Sequence, residues 1–179
     1  LALLEGNTKH AEKLLAKSAA RSDAPALTYI GAARASHQNG DFIKRDKYLD
    51  LANKAPSCKL AVGLVSIELQ LDAKQFNEAY LRLQELDSSF PKNKQICQYY
   101  LKIYPGLKKW EELITLINTQ RKLLSLSDQA FLELDLHAHQ QLFQQLASES
   151  GHSLADYWNK NISRAMRKEL PYQQAILSA

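Results

Sequence analysis

Histidine, cysteine and carboxylate side chains are the groups from which a catalytic or metal centre is built, and their spacing in this 179-residue chain does not build one. His137 and His139 stand two apart on an expected helix, which sends them to different faces, whereas a helical metal pair needs an interval of three or four. Both read as surface or rim histidines. Cys58 and Cys97 lack the CxxC spacing of a redox or zinc motif, and two isolated cysteines make no disulfide framework, which points to a reducing compartment. Glu111 and Glu112 fall where a helix begins and read as first-turn carboxylates facing the positive end of its dipole. No Gly-rich phosphate loop, GxSxG elbow or defined Cys and His spacing is present. The sequence therefore points away from an enzyme, and to no catalytic residue, metal ligand or bound cofactor.

Charged groups at helical register offer binding chemistry instead. Arg34, Glu68 and Lys102 follow one another at intervals of 34 residues and alternate in sign, with His37 one helical turn after the first. Nearer the C-terminus, Lys160, Arg164, Arg167 and Lys168 share one side of an expected helix. Leu154, Trp158, Ile162, Met166 and Leu170 occupy another side. Such a stripe is ordinarily a solvated face, yet Trp158 beside it also fits a partner contact or an approach to acidic lipid. Lys and Arg exceed Asp and Glu by only 23 to 19, which gives no reason to expect nucleic acid.

The elements that must position these groups are helices. Six Gly and five Pro over the whole length, with Leu, Ala, Lys, Gln and Glu dominant, favour helix over sheet. No run approaches the roughly 18 to 20 apolar residues needed to span a bilayer, and nothing resembles a signal peptide, so the chain as given is expected to be soluble. Leu1 is not an initiator Met and the last residues still read as helix, so a longer protein, with any anchor upstream, is expected.

Internal repetition is the strongest signal. Gly6 and Gly40 lie 34 apart, and the same step links Phe42, Phe76 and Trp110 in an aromatic column and Leu15, Leu49, Leu83 and Ile117 in an aliphatic one. Ala11 and Ala79 belong to a small-residue column, and Pro25, Pro56 and Pro91 fall near successive junctions. The departures are Arg45 and Leu113 in the small column, Thr8 in the aromatic one, and Lys74 and Lys108 in place of the turn glycine. Arg45 is expected to loosen or tilt its unit. Beyond residue 124 the period fails, and Phe131, Leu134, Ala138, Leu142 and Leu146 mark one long helix from about Ser127 to Ala147, followed by a turn ending at Gly151. Pro171 suits the first turn of a further helix.

The stretches GNTKHAEKLL at 6–15, NGDFIKRDKYLDLA at 39–52 and KQFNEAYLRLQELDSSFP at 74–91 resemble the tetratricopeptide repeat over residues 1–124. That resemblance implies an all-α fold, a right-handed superhelical solenoid of helix pairs, with three to four units over 1–124. An irregular helix pair and the start of a further repeat would occupy 125–179. It also implies that Arg34, Glu68 and Lys102 line a concave face. There they form inter-repeat ion pairs, the preferred reading, or grip a charged, extended peptide with help from His37.

A narrower likeness adds a pathway. LALLEGNTKHAEKLLAKSA, PALTYIGAARASHQNGDFIKRDKYLDLA and QQLASESGHSLADYWNKNISRAMRKE, with the non-repeat Tyr157, Trp158, Asn159 and Lys160, resemble the HemY-type haem biosynthesis proteins of Gram-negative bacteria. This resemblance implies two transmembrane helices upstream, a cytoplasm-facing region at the bacterial inner membrane, and a scaffold role in a late step of protohaem synthesis. Late haem-pathway enzymes would be the partners, with self-association through open repeat ends. The competing readings are a general peptide-binding adaptor and a porphyrin or haem carrier using His37, His137 or Met166 as axial ligand.

Overall fold

The computed structural model describes residues 8–21, 24–55, 58–148, 157–159, 162, 168 and 173–174. Among these the regular elements are helices: α1 (Thr8–Ala19), α2 (Ala26–Gln38), α3 (Phe42–Asn53), α4 (Lys59–Asp72), α5 (Phe76–Ser89), α6 (Lys94–Gly106), α7 (Trp110–Thr119), the single turn α8 (Arg121–Leu124) and α9 (Asp128–Ser148). No strand occurs among the described residues, so the all-α expectation holds for them. The chain divides into two compact units, Leu1–Ile96 and Cys97–Ala179.

Local chemistry sets where these helices start. Pro25, extended at φ −64° and ψ 152°, stands just ahead of α2, where its missing N–H is no loss. Asp41 caps α3 by accepting from the Lys44 N–H at 3.0 Å. Asn93 accepts from the N–H groups of Gln95 and Ile96 at 2.9 and 3.3 Å ahead of α6, and Ser127 Oγ accepts from the Ala130 N–H at 3.2 Å ahead of α9. Glu111 and Glu112 do sit in the first turn of α7.

The turns repeat with the sequence period. Gly40, Lys74 and Lys108 all adopt left-handed backbone, at φ 76°, 58° and 55°. Each time the residue that follows donates its N–H back across the helix end: Asp41 to Ser36 O at 2.9 Å, Gln75 to Gln70 O at 2.8 Å, Lys109 to Tyr104 O at 2.9 Å. The lysines thus accept a conformation that costs an L-residue roughly 1 kcal/mol and that glycine adopts freely.

In the first unit α1 packs on α2, α2 on α3, α3 on α4 and α4 on α5. Ile30, Ala33, Leu49, Ala52, Val62 and Leu69 form one core cluster. Gly63 permits close approach of α4 to α5, since a Cβ there would lie 2.6 Å from a Leu86 methyl. In the second unit, Trp110, Leu113 and Ile117 of α7 pack against Ala138 and Leu142 of α9. In the aliphatic column Leu49, Leu83 and Ile117 are buried, whereas Leu15 is half-buried. The aromatic column is uneven: Trp110 is buried, whereas Phe42 stays 41% exposed and does not seal its elbow.

Arg45 is 2% exposed, so an arginine is enclosed where the column otherwise carries small or aliphatic side chains, and its Nη1 is buried with no hydrogen-bond partner among the described residues. Its guanidinium donates to Asp46 Oδ1 at 2.7 Å and Gln75 Oε1 at 3.1 Å and lies 4.9 Å from the Phe42 ring centroid. The long stem replaces apolar volume while the charged head is held by a carboxylate and an amide, which is how an arginine is tolerated in a core.

Candidate functional site

Two of the residues singled out from the sequence meet. Arg34 Nη2 on α2 donates to Glu68 Oε2 on α4 at 2.7 Å, with both side chains about two-fifths exposed at 39% and 42%. Residues one repeat step apart are thus joined across neighbouring helix pairs. At this exposure the pair contributes under about 1 kcal/mol. Its position leaves a cation and an anion side by side on an open surface. Lys102, the next member of the ladder, places its ammonium 5.3 Å from the centroid of the Tyr99 ring on its own helix.

His37, one turn beyond Arg34, is half-buried and packs 5.5 Å from the Phe42 ring. Burial holds its pKa below the usual imidazole value, the Arg45 and Arg34 charges add to that, and Asp72 opposes it. The imidazole is therefore neutral at physiological pH, a donor and acceptor rather than a cation.

A second surface escaped the sequence reading. Lys9, Glu12, Lys13 and Ala16 of α1 face Lys44 and Tyr48 of α3 across a trough of about 400 Å³, with Asn39 at the turn between α2 and α3. Glu12 accepts from Asn39 Nδ2 at 2.6 Å, Lys44 Nζ at 3.2 Å and Ser36 Oγ at 3.5 Å. Lys44 also reaches Asp41 at 2.8 Å; these hydrogen bonds lower the Asp41 pKa and raise that of Lys44. A sequence signal existed in Lys9, Lys13 and Lys17, which recur every fourth residue along α1. Their counterparts on α3 become neighbours only on folding.

The second unit holds a buried polar group. Asp135 and His139, one turn apart on α9, are 0% and 3% exposed, with His139 Nε2 3.8 Å from Asp135 Oδ1. Asn118 Nδ2 donates to the same carboxylate oxygen at 3.4 Å. Burial lowers the His139 pKa, and Asp135 acts against that shift. Tyr157 stands 6.3 Å from the His139 ring and 5.8 Å from Phe143, and desolvation, reinforced by Glu111 and Asp135, pushes its hydroxyl up to about 12. His139 is accordingly a core histidine and not the rim residue its spacing suggested, because apolar neighbours at Phe143 and Tyr157 close over it. His137 is exposed, as expected, and sits edge-on to Trp110 at 6.0 Å.

Trp158, expected at a partner contact, is half-buried and packs 6.0 Å from Phe143. Lys160, Arg164 and Arg167, and also Met166, lie outside the described residues. Among the described residues no group of three or more His, Cys, Asp or Glu side chains gathers to hold a metal ion. No helix among them is long and apolar enough to cross a membrane.

A family model described as the HemY protein N-terminus matches residues 1–40. Over 177 residues, 98% of the chain, the sequence is 26% identical to Protein HemY of Escherichia coli strain K12. The same identity and coverage hold for Protein HemY of Escherichia coli O157:H7 and of Shigella flexneri. The chain spans 44% of the length of these relatives. No solved structure matches it. The family model at one end and the likeness running through nearly all of the chain make the sequence similar to HemY-type proteins.

Proposed function

We propose that the chain is a non-catalytic protein-interaction scaffold: a tetratricopeptide-repeat solenoid forming part of a bacterial inner-membrane protein that serves a late step of protohaem biosynthesis. The observation that carries the scaffold reading is the recurrence, every 34 residues, of one left-handed turn at Gly40, Lys74 and Lys108 with the same backbone hydrogen bond behind it. Repeated helix pairs that each bury one stripe leave a second, ladder-like surface for another protein. Arg34 and Glu68 lie on such a ladder. The pathway, the membrane attachment and the cytoplasmic orientation come from the likeness to HemY-type proteins. The partners would be late haem-pathway enzymes, with self-association through open repeat ends as a further mode.

A general adaptor is the second reading, favoured by the exposure of the Arg34 and Glu68 pair, which suits an extended charged peptide. The carrier reading draws little support from the described histidines. His139 turns Nε2 toward Asp135 within a packed core, and His137 is exposed beside Trp110. Deleting the full-length gene in its host and quantifying haem and porphyrins tests the pathway. Porphyrin precursors should accumulate and haem fall, and the full-length protein should restore both. Unchanged porphyrin and haem levels would leave only the adaptor.

A further inference from the structure

We propose that the trough between α1 and α3 receives an acidic segment of a partner protein carrying one bulky apolar side chain among its carboxylates. The proposal rests on the scaffold reading and names a surface distinct from the Arg34 and Glu68 ladder. Three lysines line the trough against one glutamate. Glu12 is already engaged by Ser36, Asn39 and Lys44, so its charge is spent within the protein. Lys9 and Lys13, both exposed, form no ion pair among the described residues. Their ammonium groups are the ones left to meet an incoming carboxylate.

Apolar lining is present as well. Ala16 and the half-buried Tyr48 ring border the same space, and its volume of about 400 Å³ exceeds that of any single side chain. A tyrosine on a fixed helix offers apolar area at low entropic cost, which is why such rings serve as anchors at interfaces. The lysine stems beside it extend that apolar surface while their charged ends stay in water. A recessed trough between two helices suits a polypeptide segment, which can enter it, better than a bilayer, which presents a broad face to a broad face.

The Glu12 hub also explains why the trough is fixed in shape before anything binds. Its hydrogen bonds tie α1 to α2 through Ser36 and Asn39 and to α3 through Lys44. Little ordering then remains to oppose association.

The test is a titration of the ¹⁵N-labelled chain, followed by amide chemical shifts, with three probes. These are the capped peptide Glu-Glu-Leu-Glu-Glu, its counterpart with Glu in place of Leu, and Lys-Lys-Leu-Lys-Lys. Saturable shifts should cluster at residues 9–16, 39, 44 and 48, strongest for the Leu-containing acidic peptide and absent for the basic one. Lys9→Glu combined with Lys13→Glu should weaken binding by about tenfold or more, against under about twofold for Lys54→Glu with Lys122→Glu, which makes the same charge change elsewhere. Shifts spread evenly over exposed lysines, equal losses in both variants, no saturable shift, or, in a parallel titration with phosphatidylglycerol vesicles, binding to the vesicles and to none of the peptides would each overturn the proposal. Those outcomes leave the porphyrin measurement untouched, so a failure here is distinguishable from failure of the scaffold reading.

Discussion

The helix pairs α2/α3 and α4/α5 are held by apolar columns that recur at a fixed step, whereas α9 buries a carboxylate and an imidazole one turn apart, closed over by Phe143 and Tyr157. The first arrangement is generic. Any repeat with a large aliphatic residue at the Leu49 or Leu83 position can stack on its neighbour. The second is specific, because the buried Asp135 and His139 must meet each other for the core to close without a buried charge left alone.

The largest effect that could break this comparison lies in the repeat column. Leu83→Ala should cost about 2–5 kcal/mol by urea unfolding, as expected for a fully buried leucine, and a loss below about 1 kcal/mol would mean that the column is not structural. Asp135→Ala should cost about 1–3 kcal/mol because it leaves the buried His139 without its carboxylate, while Asn118, which is exposed, keeps its bond to the Ile114 carbonyl.

The same pair gives the α9 core a pH signature. His139 has a folded pKa below its usual 6.5, so the unfolded chain binds the proton more readily. Its contribution is complete above about pH 6.5 and is lost as pH falls from there through the lowered folded value. His139→Gln should flatten this part of the stability profile, read from thermal melts across pH 5 to 8 in about half-unit steps. His37 shifts in the same direction but is less buried, so the residual slope in that variant should be small.

The turns allow a finer comparison. Lys74→Gly and Lys108→Gly should each stabilise by about 0.5–1 kcal/mol through release of left-handed strain, and Gly40→Ala should destabilise by about 1 kcal/mol. Identical responses to Lys→Gly at both sites would show that one turn geometry serves both. Smallest of all is the Arg34 and Glu68 coupling, for which a double-mutant cycle should return less than about 1 kcal/mol, falling further in high salt.

Much of the fold was legible because its signals are local or periodic. The aliphatic positions at Leu49, Leu83 and Ile117 follow from the 34-residue period, and the first-turn Glu111 and Glu112 and the start of the helix near Ser127 follow from residues within a few positions of one another. Arg45 and His139 were not legible, since whether a polar group is buried depends on partners brought in by folding: Gln75 for the first, Phe143 and Tyr157 for the second. The ladder predicted the meeting of Arg34 with Glu68 because that contact repeats the period. The α1 and α3 trough joins residues roughly 30 or more positions apart that share no motif, and only the lysine spacing on α1 hinted at it.

The central claim is that this chain works by holding another protein. It is tested most directly by purifying the full-length protein from membranes of its own host after mild crosslinking and identifying what accompanies it in near-equimolar amount. The scaffold account predicts one enzyme of the haem pathway, recovered from wild type and reduced when Arg34→Glu and Lys102→Glu are combined. Recovery of the full-length protein alone, from cells in which its deletion disturbs porphyrin levels, would contradict it.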